Sequence, residues 1–219
     1  VGPSIDLDDL DEILKLALVE KPNRVVITGD LIDKIAWLPQ VCERLTTFAK
    51  QIPDGVDFIL GNHEYHHDVN KVLDELKHNT PMNILVNSNI QIMGGKQPVY
   101  IAGVAYDNDR EKEKREAMID KALSGIPDYA FVILLAHHPE FFEEAIERKI
   151  PLTLSGHTHG GQIVFMGMPL VPTGTPYTKG RYVEEQSVCY VNNGSGHWFP
   201  IRINCPREIT VITFFDGVA

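Results

Sequence analysis

The sequence predicts an α/β protein in which two sheets pack face to face with helices on both outer sides, a four-layer α/β/β/α sandwich of two mixed sheets. Three observations point there. The first half alternates helix-period segments with short β-branched runs. The middle holds short strands separated by Asn, Ser and Gly turns, which favours antiparallel pairing. After residue 156 the chain reads entirely as strand and loop, and no linker divides it, so residues 1–219 are expected to form one domain.

Taken in order, residues 6–20 place Leu7, Leu10, Leu14 and Leu18 on one helical face, with Ser4 or Asp6 as cap and Pro22 beyond the end. Residues 24–28 (RVVIT) form a buried strand running into Gly29-Asp30. A helix over 37–50 follows, then a strand over 56–60 that ends in Gly61-Asn62-His63, then a helix over 68–78. Short strands are expected at 84–86, 90–93 and 99–104, and a charged helix at 110–123. The run 130–136 (AFVILLA) is a core strand delivering His137-His138. A helix over 140–148 leads to a strand at 152–155 that ends in Gly156-His157. Strands are expected at 162–165, 187–191 and 208–215, with a Pro- and Gly-rich loop over 167–185.

Composition narrows the function. With 43% hydrophobic and 23% charged residues the chain resembles an ordinary globular domain. It has no apolar run of the roughly eighteen residues that a spanning helix needs. The net charge of −10 disfavours nonspecific nucleic-acid binding, since the surface repels a phosphate backbone. Bound divalent cations can still create a local positive site. The three cysteines, Cys42, Cys189 and Cys205, are far apart and in no CxxC spacing, so isolated thiols are expected rather than a disulfide framework or thiolate zinc site.

Four strand ends carry metal-type ligands: Asp30, Asn62, His137, and the pair His157 and His159. Sites in α/β sheets form where strands end. One such residue means little, because loop Asp and Asn are commonly solvated; four together are hard to ascribe to chance. Histidines two apart share a strand or turn face, and the glycines around His157 and His159 allow close backbone approach. Three imidazoles, a carboxylate and an amide suit Mn, Fe or Zn better than calcium.

The blocks Gly29-Asp30-Leu31-Ile32-Asp33, Gly61-Asn62-His63-Glu64, His137 and Gly156-His157-Thr158-His159 resemble, in order and spacing, those of the calcineurin-like metallophosphoesterase superfamily. Gly160-Gly161-Gln162, Tyr190-Val191-Asn192-Asn193-Gly194, Pro200-Ile201-Arg202 and Pro206-Arg207-Glu208-Ile209 are similar to its bacterial YkuE/YaeI-like branch. The resemblance implies the metallophosphoesterase fold and hydrolysis of phosphate esters, most directly phosphodiesters, at a centre of two divalent ions. It implies that Asp30 bridges the ions, that Asn62, His137 and His157 complete the second, and that His159 serves the first. His63 would bind no metal; it would stabilise the phosphoryl charge or protonate the leaving oxygen. The superfamily's first motif, Asp-x-His, has no counterpart before Asp30. The chain is therefore expected to start just after that motif, with the first core strand missing.

Other residues keep two readings. Asp33 either orients Asp30 or a ligand, or caps a helix. His138 is the neighbour that can be mistaken for the ligand His137. His66 and His67 either touch substrate or are exposed loop histidines. His197, beside Trp198, either lines the mouth of the site or packs. Two alternative functions remain on the same fold: cleavage of the pyrophosphate in a UDP-linked acylated sugar, and a binding protein without catalysis. Branch resemblance also implies attachment to a membrane surface through a preceding segment. Oligomeric state is not legible.

Overall fold

The computed structural model describes residues 1–94, 96–105 and 111–215. Helix α1, Leu7–Val19, begins at Asp6, whose carboxylate accepts from the amides of Asp8 and Asp9 while Asp9 returns a bond to the Asp6 N–H. Strand β1, Val25–Ile27, follows. A 3₁₀ turn at Ile35–Trp37 opens into α2, Leu38–Ala49. Next come β2, Val56–Phe58, a short α3, Asn62–Tyr65, and α4, Val69–Asn79, capped by Asp68. Strands β3, Asn83–Ile84, β4, Ser88–Met93, and β5, Val99–Gly103, precede α5, Lys112–Leu123. The remainder comprises β6, Phe131–Leu135; α6, Phe141–Glu147; β7, Leu152–Ser155; a 3₁₀ turn, His159–Gly161; β8, Val164–Phe165; β9, Met168–Pro169; β10, Gly180–Glu184; and β11, Ser187–Val191.

One sheet has the order β1-β2-β3, all parallel. The other has the order β10-β11-β7-β6-β5-β4, parallel in the middle and antiparallel at both edges. Three apolar clusters mark the layer boundaries. Leu10, Val41, Leu45, Phe58 and Leu76 join the first sheet to α1, α2 and α4. Ala102, Ile119, Leu134, Phe142 and Cys189 join the second sheet to α5 and α6. Ile59, Leu85, Ile101, Ile133, Leu135 and Leu154 lie between the sheets. In β6 the alternation is direct: Val132 and Leu134 face the helices, Ile133 and Leu135 face the opposite sheet. A strand buried on both faces must be apolar throughout, which is why residues 130–136 read as an unbroken hydrophobic run. The layers are those expected.

Several local expectations change. Residue 84 does not join an antiparallel set; β3 pairs parallel with β2, because α4 forms a crossover that returns the chain in the same direction. The loop expected over 167–185 contains β9 and the edge strand β10. Residues 208–215 join no ladder among the described residues. Side chains tie them down instead, Tyr190 to Glu208 and the Asn192 amide to the Thr210 hydroxyl at 2.7 Å. Their β-branched composition signals fit to a pleated surface, not the presence of a partner strand. Arg110, expected to start a helix, lies outside the described residues. All three cysteines are free and buried, as expected.

Candidate metal centre

Parallel strands from both sheets stop at one place. The loop after β1 carries Asp30, the turn after β2 carries Asn62 and His63, the end of β6 carries His137, and the end of β7 carries His157 and His159. Glycine lets these loops interlock. A Cβ on Gly29, whose φ is +94°, would stand 2.6 Å from the Gly61 nitrogen and 2.7 Å from His137 Nδ1; one on Gly61 would collide with Asp30. Asp30, His157, His159 and Gln162 all hold φ between +50° and +66°. Conformations of this kind cost an L-residue roughly 1–3 kcal/mol each and persist only where the surroundings enforce them.

Four side-chain atoms converge. His137 Nε2 lies 3.2 Å from Asp30 Oδ2 and 3.1 Å from Asn62 Oδ1, and His157 Nδ1 lies 2.8 Å from that same Oδ1 and 3.2 Å from His137 Nε2. The ligand atoms of Asp30, His137 and His157 all fall within 4.8 Å of one another. His137 Nδ1 faces the Thr28 carbonyl at 2.6 Å. A carbonyl cannot donate, so the proton sits on Nδ1 and the Nε2 lone pair points into the cluster. Lone pairs at 2.8–3.2 Å repel unless a proton or a cation lies between them. Two imidazole nitrogens, an amide oxygen and a carboxylate form a donor set that fits a divalent transition ion.

The electrostatics of Asp30, His157 and His159 agree with that fit, while those of His137 in the absence of an ion favour a proton shared with Asp30. Burial alone would raise the Asp30 carboxyl, but His137 and His63 outweigh it and hold Asp30 well below the usual carboxylate range. For His137 burial acts downward, yet Asp30 and the hydrogen bonds raise it overall. Burial, aided by neighbouring His138 and His137, lowers His157 to about 3. Burial lowers His159 to about 4, against the pull of Asp30 and with help from Arg202. Both rings are therefore neutral at pH 7, the form that offers a lone pair to a metal.

The remaining residues fall at graded distances from this cluster. The His63 amide donates to Asp30 Oδ1 at 3.0 Å, while its ring Nε2 stays 3.9 Å from Asp30 Oδ2 and its Nδ1 meets Asp33 Oδ1 at 2.8 Å. Asp33 thus holds His63. The helix-cap reading of Asp33 is corrected, since the turn that follows has Lys34 at its start and no side-chain cap. The His66 ring lies tilted against the His63 ring with centroids 5.1 Å apart, and His67 Nε2 meets the Asp33 carbonyl at 3.1 Å. His138 stacks on His157 with ring centroids 3.7 Å apart and meets Glu140 at 3.0 Å, so it backs the cluster. His159 stands outside the four converging atoms, its Nδ1 3.4 Å from Arg202. The structure does not bring His197 to the cluster; its charged neighbours are Arg202, Arg207 and Asp9. Sequence reasoning missed Glu64, a fully buried carboxylate directly behind Asp30. The signal was present, because Glu three residues after a helix-start glycine is half of a capping box.

A family profile described as calcineurin-like phosphoesterase matches residues 4–161. The chain belongs to that family. It is 34% identical over 220 residues to an uncharacterized metallophosphoesterase of Campylobacter jejuni, covering 97% of this chain and 56% of that one. It is 31% identical over 224 residues to the uncharacterized metallophosphoesterase YkuE of Bacillus subtilis, covering 94% and 73%. It is also 31% identical over 225 residues to a zebrafish (Danio rerio) protein named as a transmembrane protein with a metallophosphoesterase domain, covering 97% and 50%. The chain spans about half the length of most of these relatives. Among solved structures, the NAD nucleotidase of Haemophilus influenzae matches with a TM-score of 0.52 and 16% identity over 90% of this chain and 45% of that one, a likeness of fold alone.

Proposed function

We propose that the chain is the catalytic domain of a phosphodiesterase with a centre of two divalent ions, Mn, Fe or Zn. The observation that carries this is the convergence of Asp30, Asn62, His137 and His157 from separate strand ends to 2.8–3.2 Å. Those four would hold one ion; Asp30, with His159, would reach the other. Such ions neutralise phosphate oxygens and lower the pKa of a bound water. The protein's own part is positioning. Asp33 fixes the His63 ring through Nδ1, so that Nε2 is the atom left to hydrogen-bond or protonate the departing oxygen. His138 stacked on His157 and the Thr28 carbonyl on His137 keep both imidazoles turned inward.

We further propose that residues 1–219 are a single domain completed by an upstream strand bearing Asp-x-His. Two features support it. β1 is the edge of its sheet and only half-buried while β2 is fully buried, and residues 208–215 join no ladder among the described residues.

A lipid-linked phosphate anhydride is the second substrate reading. The β8–β9 hairpin starts three residues after the His159–Gly161 turn and carries exposed Phe165, Met166 and Met168. No helix among the described residues is long and apolar enough to cross a membrane; this exposed apolar hairpin is our candidate for contact with a lipid surface. The presence of Asp30, Asn62, His63, His137, His157 and His159 together weighs against a purely non-catalytic binding protein.

The test is metal analysis and hydrolysis of bis-p-nitrophenyl phosphate by a protein extended upstream. Retained divalent ions and turnover abolished by chelation are expected. A protein that neither retains a divalent ion nor turns over with added Mn²⁺ would end the hydrolase reading.

A further inference from the structure

Glu64 is completely buried, yet its carboxylate makes no salt bridge to a Lys or Arg among the described residues. It is filled by backbone instead. Oε1 accepts from the amides of Leu31 at 2.7 Å and Ile32 at 2.9 Å; Oε2 accepts from Asp30 at 3.0 Å and Gly61 at 2.6 Å. Three consecutive amides beginning at a left-handed Asp30 form a concave anion nest, and Glu64 occupies it. Each oxygen accepts two N–H groups.

The connectivity gives this carboxylate a second consequence. It joins the loop carrying Asp30 to the turn carrying Asn62, and the His63 amide closes the same junction by donating to Asp30 Oδ1. Four amides, three of them buried, would otherwise lack these acceptors, and the unfavourable φ of Asp30 would lose what enforces it. We infer that Glu64 is a positioning residue for the candidate centre: without touching the cation, its carboxylate locks the Asp30 loop against the Asn62 turn and so sets the distance between their ligand oxygens. This inference rests on the metal reading proposed above.

Side-chain chemistry makes the claim specific. Glutamine offers one acceptor oxygen, and its NH₂ would face two of the four N–H donors. Aspartate keeps the charge but is one methylene short. Val72 is a fully buried apolar side chain on α4 that makes no hydrogen bond to the nest, so Val72→Ala serves as a destabilised control.

The experiment compares wild type, Glu64→Gln, Glu64→Asp and Val72→Ala in two arms. Hydrogen exchange of the metal-free proteins is read at the amides of Asp30, Leu31, Ile32 and Gly61, and Mn²⁺ affinity is read by titration calorimetry. In Glu64→Gln those four amides should exchange at least about tenfold faster than in Val72→Ala, and Mn²⁺ affinity should fall about 10- to 100-fold, as for other residues that orient ligands. Glu64→Asp should fall between Gln and wild type in both arms, and it decides the matter if Glu64→Gln does not fold. Unchanged protection in Glu64→Gln overturns the inference. So does lost protection with unchanged Mn²⁺ affinity, or an equal affinity loss in Val72→Ala. A wild type that binds no Mn²⁺ refutes the metal reading, while the exchange arm still reports separately whether Glu64 holds the two loops.

Discussion

Replacing His63 by alanine separates the two jobs the site must do. The ring lies 3.9 Å from the nearer Asp30 oxygen, outside the four atoms that converge at 2.8–3.2 Å, and its side-chain hydrogen bond among the described residues is to Asp33 at 2.8 Å. Its loss should therefore leave the donor cluster standing. Removing that hydrogen bond at a partly exposed site costs about 0.5–1.5 kcal/mol. For a domain of this size that lowers Tm by roughly 1–6 °C, so the variant stays folded. The chemical effect should be far larger. A positioned general acid contributes about 10²–10⁴ in rate, or roughly 2.7–5.4 kcal/mol of barrier. Turnover of bis-p-nitrophenyl phosphate and metal content by mass spectrometry, measured on the same preparation, should show a fall of at least about a hundredfold in kcat with metal nearly intact. Parallel loss of metal and activity would make His63 a ligand and refute the division of roles. A substrate with a very good leaving group should recover part of the lost rate, because it needs less protonation.

Asn62→Ala should behave in the opposite way, losing metal about tenfold or more in affinity along with activity, as titration calorimetry would show. Chelation of the wild type should lower its stability by about 2.7 kcal/mol if the ion had been present at a hundred times its Kd, a Tm shift of roughly 5–11 °C; no shift would mean no bound ion. Burial pushes the Cys42 thiol up to about 11 and the Cys189 thiol up to about 12. Each is raised in the folded state, so its contribution to stability is full below the ordinary thiol range and is lost as pH climbs toward those values. Both thiols should therefore resist a disulfide reagent at pH 8 until the protein unfolds, and rapid native labelling of either would contradict the packing. The double variant Phe165→Ser, Met166→Ser should reduce sedimentation with phosphatidylglycerol vesicles several-fold. Its folding stability should change by no more than about 0.5 kcal/mol, because Met166 is 83% exposed. Equal sedimentation would remove the hairpin from any membrane role.

Legibility varied with the physical origin of each feature. The buried parallel strands were readable because a strand covered on both faces must be apolar, as β6 is. Strand β10 was not, since an exposed edge strand such as Gly180–Glu184 carries polar residues and looks like loop. Residues 208–215 erred the other way, because composition favours a strand wherever a partner is to be found. Asp33 illustrates a third limit. A carboxylate before a helix has two ordinary uses, and only the 2.8 Å approach of His63 from 30 residues away separates them.

The sequence by itself determined the layers, through hydrophobic periodicity, and the candidate ligands, through motifs that put Asp, Asn and His at strand ends. Local patterns suffice there, because periodicity and glycine placement are properties of neighbouring residues. The tertiary structure decided which atoms meet. It chose His137 over His138 for the cluster, placed His197 elsewhere, and showed Glu64 filling a nest of amides. Those outcomes depend on how distant loops approach one another in three dimensions, and hydrogen bonds to backbone leave little trace in side-chain identity.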